Sequence, residues 1–184
     1  MNVATKPGAC KEGKDPSAIL DLDVQIALEE NEAEEPPSGA TLLNWASLAY
    51  LSVLEESEQT ESSQGNAAEL TIRIVGEAEM IALNGSYRDK QKTTNVLSFP
   101  VDLDAELRDE LPIKLLGDVV ICHPVIIAEA QQQKKTVSDH YAHMVTHGVL
   151  HLNGYDHQDD DSAERMEALE KQILAKSGIA NPYS

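Results

Sequence analysis

Three of the six histidines in the chain, His147, His151 and His157, fall within the eleven residues HGVLHLNGYDH. His147 and His151 are four apart, so on a helix their imidazoles leave one face a turn apart and can reach a single ion. Gly154 comes three residues after His151, where a positive φ can end the helix and bring His157 back toward the same point. Three neutral imidazoles approaching from one side leave the fourth tetrahedral position to water, which is the arrangement of a catalytic zinc site and not of a closed structural one. Such an ion lowers the pKa of its bound water from about 15.7 toward roughly 7, and so supplies a nucleophile at neutral pH. Imidazole also suits nickel, copper and iron, so one divalent ion is expected with zinc as the default. The spacing and the glycine match the zinc-protease pattern H-E-x-x-H-x-x-G-x-x-H, with one difference. Where that pattern has its general base, this chain has Gly148, which can take no proton; this argues against a peptidase of that type.

The elements that must position this trio are legible in the periodicities. Residues 137–152 read as a helix carrying His143, His147 and His151, preceded by a helix for which Pro124 suits the first position before VIIAEAQQQ. Strands are expected at LDLDVQIAL (20–28), LTIRIV (70–75), TNVLSFP (94–100) and GDVVIC (117–122). A helix capped by Ser38 carries Leu42, Trp45, Leu48 and Leu51, and a shorter one covers EAEMIALNGSYR (77–88). The last helix begins near Asp161 in a capping box with Glu164, buries Met166, Leu169, Ile173 and Leu174, and stops at Gly178. The expected class is α+β: a small mixed four-stranded sheet covered by about five helices, one of them zinc-protease-like and metal-binding. Residues 1–18 read as a flexible tail and residues 19–184 as a single metallo-hydrolase domain. Trp45 is assigned to the core, Asp159 to Asp161 to the helix start, and His143 to a noncatalytic role beside the site; Asp156 either orients a ligand or caps the turn.

Composition limits the partners. A net charge of −18 disfavours unaided grip on nucleic acid, because phosphate binding is driven by Lys and Arg displacing counterions. The acidity is uneven: from Leu70 to Val101 the basic residues Arg73, Arg88, Lys90 and Lys92 outnumber Glu77, Glu79 and Asp89, so contact with a polyanion is expected there. The longest apolar runs fall far short of the roughly 20 residues of a membrane helix, and the first residues hold no apolar run like that of a signal peptide. No membrane association and a cytoplasmic location are therefore expected, with Cys10 and Cys122 as thiols and not a disulfide.

HGVLHLNGYDH resembles the signature of the YbeY family of bacterial metal-dependent endoribonucleases, LNGSYRDKQKTTNVLSFP (83–100) resembles that family's second motif, and LLGDVVIC (115–122) fits its third. The resemblance implies a single-strand-selective RNA hydrolase acting in 3′-end maturation of small-subunit ribosomal RNA and in ribosome quality control. It places the metal ligands at His147, His151 and His157 and the functional arginine at Arg88. The chain departs from the pattern in carrying Asp89 and Gln91 where glycine and aspartate are common. In this reading His147 and Arg88 are catalytic, and Arg88, Lys90, Lys92 and Ser98 bind substrate. The planar fork of Arg88 meets two oxygens of the scissile phosphate and counters charge that builds in the transition state. The partners are single-stranded ribosomal RNA and a ribosomal or ribosome-associated protein that delivers it. Two other classes stay open: a ribosome-binding module with a vestigial metal site, and a hydrolase of a non-RNA substrate.

Overall fold

The computed structural model describes residues 19–29, 34–57 and 67–183. The expected tail at 1–18, Cys10 and most of the polar connection after residue 57 lie outside them. The elements run β1 (Leu20–Ala27), α1 (Gly39–Glu56), β2 (Ala68–Val75), α2 (Glu77–Arg88), β3 (Val96–Pro100), α3 (Ala105–Glu110), β4 (Lys114–Cys122), α4 (His123–Gln133), α5 (Val137–Leu152) and α6 (Asp160–Lys176). The sheet order is β1-β2-β4-β3, with β1, β2 and β4 parallel and β3 antiparallel to β4, so the expected mixed four-stranded sheet is present. Helices number six among the described residues. The addition is α3, whose six residues AELRDE are too few and too charged to show an apolar period.

Strands β2 and β4 are central: β2 (AELTIRIV) alternates buried apolar with more exposed polar residues until Val75, and β4 ends in the buried run VVIC. Leu70, Ile72, Ile74, Val119 and Ile121 face the larger core with Trp45, Tyr141, Val145 and Val149 of α1 and α5. Val75, Val120 and Cys122 face a smaller cluster with Met80 of α2 and Leu97 of β3. Two expectations need correction. The alternation of β1 puts Ile26 on the half-buried side with Leu20, Leu22, Val24 and Leu28, yet Ile26 on this edge strand is 59% exposed while Leu22, Val24 and Leu28 pack against the core. Helix α6 is capped two residues earlier than expected: its cap is Asp159, which accepts from the Ser162 amide at 2.9 Å and from the Ser162 hydroxyl at 2.7 Å, in place of the Asp161–Glu164 box.

Two glycines let the chain approach itself beside the histidines. Gly117 has φ +124°, and a Cβ there would lie 2.1 Å from the Phe99 carbonyl oxygen, so only glycine lets β3 lie against β4 at this register. Gly148 lies where α5 crosses the sheet: a Cβ would lie 2.6 Å from Val119 Cγ1 and 2.9 Å from Val119 Cγ2. The Ser98 hydroxyl donates to the Gly148 carbonyl at 3.4 Å across the same contact. The substitution Gly148→Ala overpacks this crossing and is expected to cost about 1–3 kcal/mol in denaturant unfolding. Adding Val119→Ala should recover part of that loss; a double variant no more stable than Gly148→Ala would show that the crossing is not what the glycine relieves.

Candidate active site

The histidine helix is defined at both ends. Thr136 caps α5 by accepting from the Asp139 amide at 3.0 Å. At the other end the Asn153 amide group donates to the Val149 carbonyl at 2.8 Å, the Tyr155 amide returns to the Leu150 carbonyl at 3.1 Å, and Gly154 takes φ +87°. Lys114 reaches Asn153 at 2.9 Å, and the Tyr155 hydroxyl donates to Glu56 of α1 at 2.5 Å. Burial and the Glu56 carboxylate push the Tyr155 phenol up to about 12, so it stays a donor. Asp156 caps the turn by accepting from the His157 amide at 2.7 Å.

This turn brings His157 back over α5. One ring nitrogen from each of His147, His151 and His157 lies within 4.8 Å of the other two, and Nε2 of His147 and Nε2 of His151 are 3.0 Å apart. Three nitrogens about 2.1 Å from one tetrahedral ion are separated by about 3.4 Å, so small ring movements suffice to bind one. The tautomer also fits. His147 Nδ1 is 2.8 Å from Glu170 Oε1, and a carboxylate only accepts, so Nδ1 carries the proton and Nε2 presents its lone pair to the cluster. Burial, together with the imidazoles of His147 and His157, pushes the His151 pKa down to about 4, keeping that ring neutral as a ligand must be.

Glu170 is the residue that sequence reasoning missed. It lies buried on α6 among Met166, Leu169, Ile173 and Leu174. Burial alone would raise its pKa, but His143, His147 and Tyr183 around it outweigh that and hold it down to about 2. His143, expected beside the site, has Nε2 3.7 Å from Glu170 Oε2. A second carboxylate ties the same helix to the cleft: Glu129 of α4 meets His140 Nε2 at 2.7 Å and accepts from Asn95 at 3.1 Å, just before β3. Burial lowers the His140 pKa, and Glu129 works against that shift.

The histidines line a cleft of about 680 Å³ whose wall also includes Arg88, Lys90, Lys92 and Ser98. Arg88 is the last residue of α2 and is exposed, and Asp89 caps that helix at φ 55°. This left-handed position is where glycine is least strained and aspartate tolerated, which accounts for the departure at residue 89. Buried Asn84, also unremarked in the sequence, donates from its side chain to the Lys92 carbonyl at 2.6 Å, and its carbonyl accepts from the Lys90 amide at 3.2 Å. The loop carrying both lysines is thereby fixed. Arg73 belongs elsewhere. Its guanidinium meets Glu79 at 2.8 and 3.2 Å and Gln25 at 3.0 Å, so one of the four cations expected to face a polyanion is already paired.

A helix-and-turn imidazole trio opening on a cation-lined cleft defines a candidate metallohydrolase site for an anionic substrate. The model of the family "Endoribonuclease YbeY" matches residues 30–178. Among curated proteins, the endoribonuclease YbeY of Alteromonas mediterranea is 50% identical over 167 residues, covering 91% of this chain and 97% of its own length. Those of Pseudomonas putida and Hydrogenovibrio crunogenus are each 46% identical, over 90% of this chain and 94% and 98% of their own lengths. A solution structure from Thermotoga maritima superposes with TM-score 0.47 at 19% identity, over 88% of this chain and 99% of that one. This chain belongs to the endoribonuclease YbeY family.

Saturating a preformed site adds its binding free energy to folding, so zinc at a thousandfold excess over its Kd is expected to raise unfolding stability by about 4 kcal/mol. His157 is exposed, so His157→Ala should abolish that increment and leave metal-free stability within about 0.5 kcal/mol. Denaturant titrations with and without zinc measure both quantities. An undiminished increment in the variant would remove His157 from the ligand set.

Proposed function

We propose that this chain is a metal-dependent endoribonuclease that cuts single-stranded RNA in 3′-end maturation of small-subunit ribosomal RNA and in ribosome quality control. The carrying observation is that the three imidazoles and three cations, Arg88, Lys90 and Lys92, line one cleft. His147, His151 and His157 hold one divalent ion, zinc by default; when bound, the ion supplies Lewis acidity and an activated water at neutral pH. His147 is oriented for this by Glu170. Arg88 binds the scissile phosphate with two donors and counters the charge that develops on its oxygens. Lys90 and Lys92, on the loop fixed by Asn84, bind flanking phosphates. Ser98 lines the floor with its hydroxyl turned to the Gly148 carbonyl, so it contacts substrate through its oxygen lone pairs.

Membership of the family supports RNA as substrate; the ribosomal setting and the preference for single strands follow the family resemblance. The remainder of the surface is acidic, with a net charge of −18 for the whole chain, and so it repels bulk RNA outside the cleft. We therefore assign delivery of the substrate to the ribosome or a ribosome-associated protein, in the cytoplasm. Among the described residues no helix is long and apolar enough to cross a membrane.

The test is cleavage of matched single-stranded and duplex RNA by the zinc-loaded protein. The parent should cut the single strand preferentially. Arg88→Ala should lower kcat by about a hundred- to a thousandfold, the usual loss for a transition-state charge donor. His147→Ala should lose cleavage together with the zinc. Full-rate cleavage by both folded variants would overturn this mechanism, and a parent that binds ribosomes but never cuts would favour a binding module.

A further inference from the structure

Past α6 the chain turns at Gly178, with φ +73°, and residues 181–183 come back across the helix to the Glu170 carboxylate. Lys135 donates to the Pro182 carbonyl, the Tyr183 amide donates to Asn181 Oδ1 at 3.0 Å, and Lys171 Nζ stands 4.8 Å over the Tyr183 ring. That ring lies edge-on to His143 with centroids 5.6 Å apart. Its hydroxyl donates to Glu170 Oε2 while Glu170 Oε1 receives the His147 Nδ1 proton. Each carboxylate oxygen thus holds one donor, and the donors come from different segments.

A buried carboxylate with one oxygen engaged can still pivot about its last bond. The available alternative lies beside it: His143 Nε2 is 3.7 Å from Oε2, and among the described residues neither ring nitrogen of His143 has a hydrogen-bond partner. Without the phenol, swinging toward His143 would satisfy a buried donor there at the expense of His147. With the phenol in place both oxygens are fixed, and His147 keeps its Nδ1 proton and its Nε2 lone pair.

We propose that Tyr183 is a positioning residue of the metal site, acting through Glu170 to fix the tautomer and direction of His147. This rests on the metal-site reading above. The simpler role, in which Tyr183 only fastens its segment to α6, needs the ring but not the hydroxyl. Tyr183→Phe separates the two because it keeps the contacts with Lys171 and His143.

Zinc affinity is read by competition with a chromophoric chelator, and metal-free stability by thermal unfolding. Tyr183→Phe should bind zinc about tenfold more weakly, in the range typical of groups that orient a ligand, with metal-free Tm lowered by only a few degrees, on the order of one lost hydrogen bond. In metal-free protein, long-range 15N–1H correlations of the His147 ring should show one Nδ1–H tautomer in the parent and a mixture in Tyr183→Phe. In a Glu170→Gln background the additional loss from Tyr183→Phe should shrink below twofold. Parent-like zinc affinity and an unmixed tautomer in Tyr183→Phe would overturn the proposal. So would an undiminished loss in the Glu170→Gln background. A parent that binds no zinc would overturn the site reading itself, and this inference with it, and is distinguished by the parent titration alone.

Discussion

A carboxylate removed from water must be surrounded by donors, and the half of this molecule that carries the histidine cluster is organised around that requirement at Glu170. The side chain occupies a position in the apolar stripe of α6 that a leucine would fill more cheaply. Its cost is offset where α5 presents His143 and His147 and where the chain beyond α6 presents Tyr183. The pairing couples the packing of two helices to the orientation of one imidazole, so the register of α6 on α5 and the geometry of the histidine cluster are settled together. Glu129 repeats the device at the opposite end of the helix, joining His140 to the Asn95 segment that leads into the cleft wall.

Charge is sorted by the fold in the same economical way. The chain is strongly acidic, and one of its few arginines, Arg73, is consumed by a forked pairing with Glu79 away from the cleft. The remaining cations of that segment sit where α2 ends and the following loop begins. There the C-terminal end of the helix favours positive charge, and Asn84 holds the backbone in place. A small basic opening in an acidic surface attracts phosphate locally while the rest of the molecule discourages adhesion to RNA at large.

The geometry of the histidine cluster was largely legible because it depends on local spacing: four residues along a helix, then a glycine-enabled reversal. The strands were legible too, since β2 alternates apolar and polar residues and β4 ends in the buried run VVIC. What escaped depends on contacts distant in sequence. Glu170 looks like one more acidic residue of a charged helix until the partner helix is in place, though a glutamate inside the stripe of Met166, Leu169, Ile173 and Leu174 is a signal in itself. Arg73 reads as an available cation until Glu79 and Gln25 fold against it. The start of α6 was misplaced because Asp159, Asp160 and Asp161 offer equivalent caps, and only the backbone decides which one meets Ser162. Helix α3 is too short to carry a period at all.

The crossing of α5 over Val119 reaches beyond this protein. The zinc-protease pattern carries its catalytic glutamate at the position held here by Gly148, and in this fold that space is already filled by a strand side chain less than 3 Å from where a Cβ would begin. A glutamate introduced there alone would meet the Val119 methyls before it met a substrate, so exchanging one catalytic plan for the other calls for a smaller residue on the strand as well. The two chemistries are separated by the strand side chain beneath the helix as well as by the identity of one residue, and a designer seeking amide hydrolysis on this scaffold would have to open the β-layer at Val119 first.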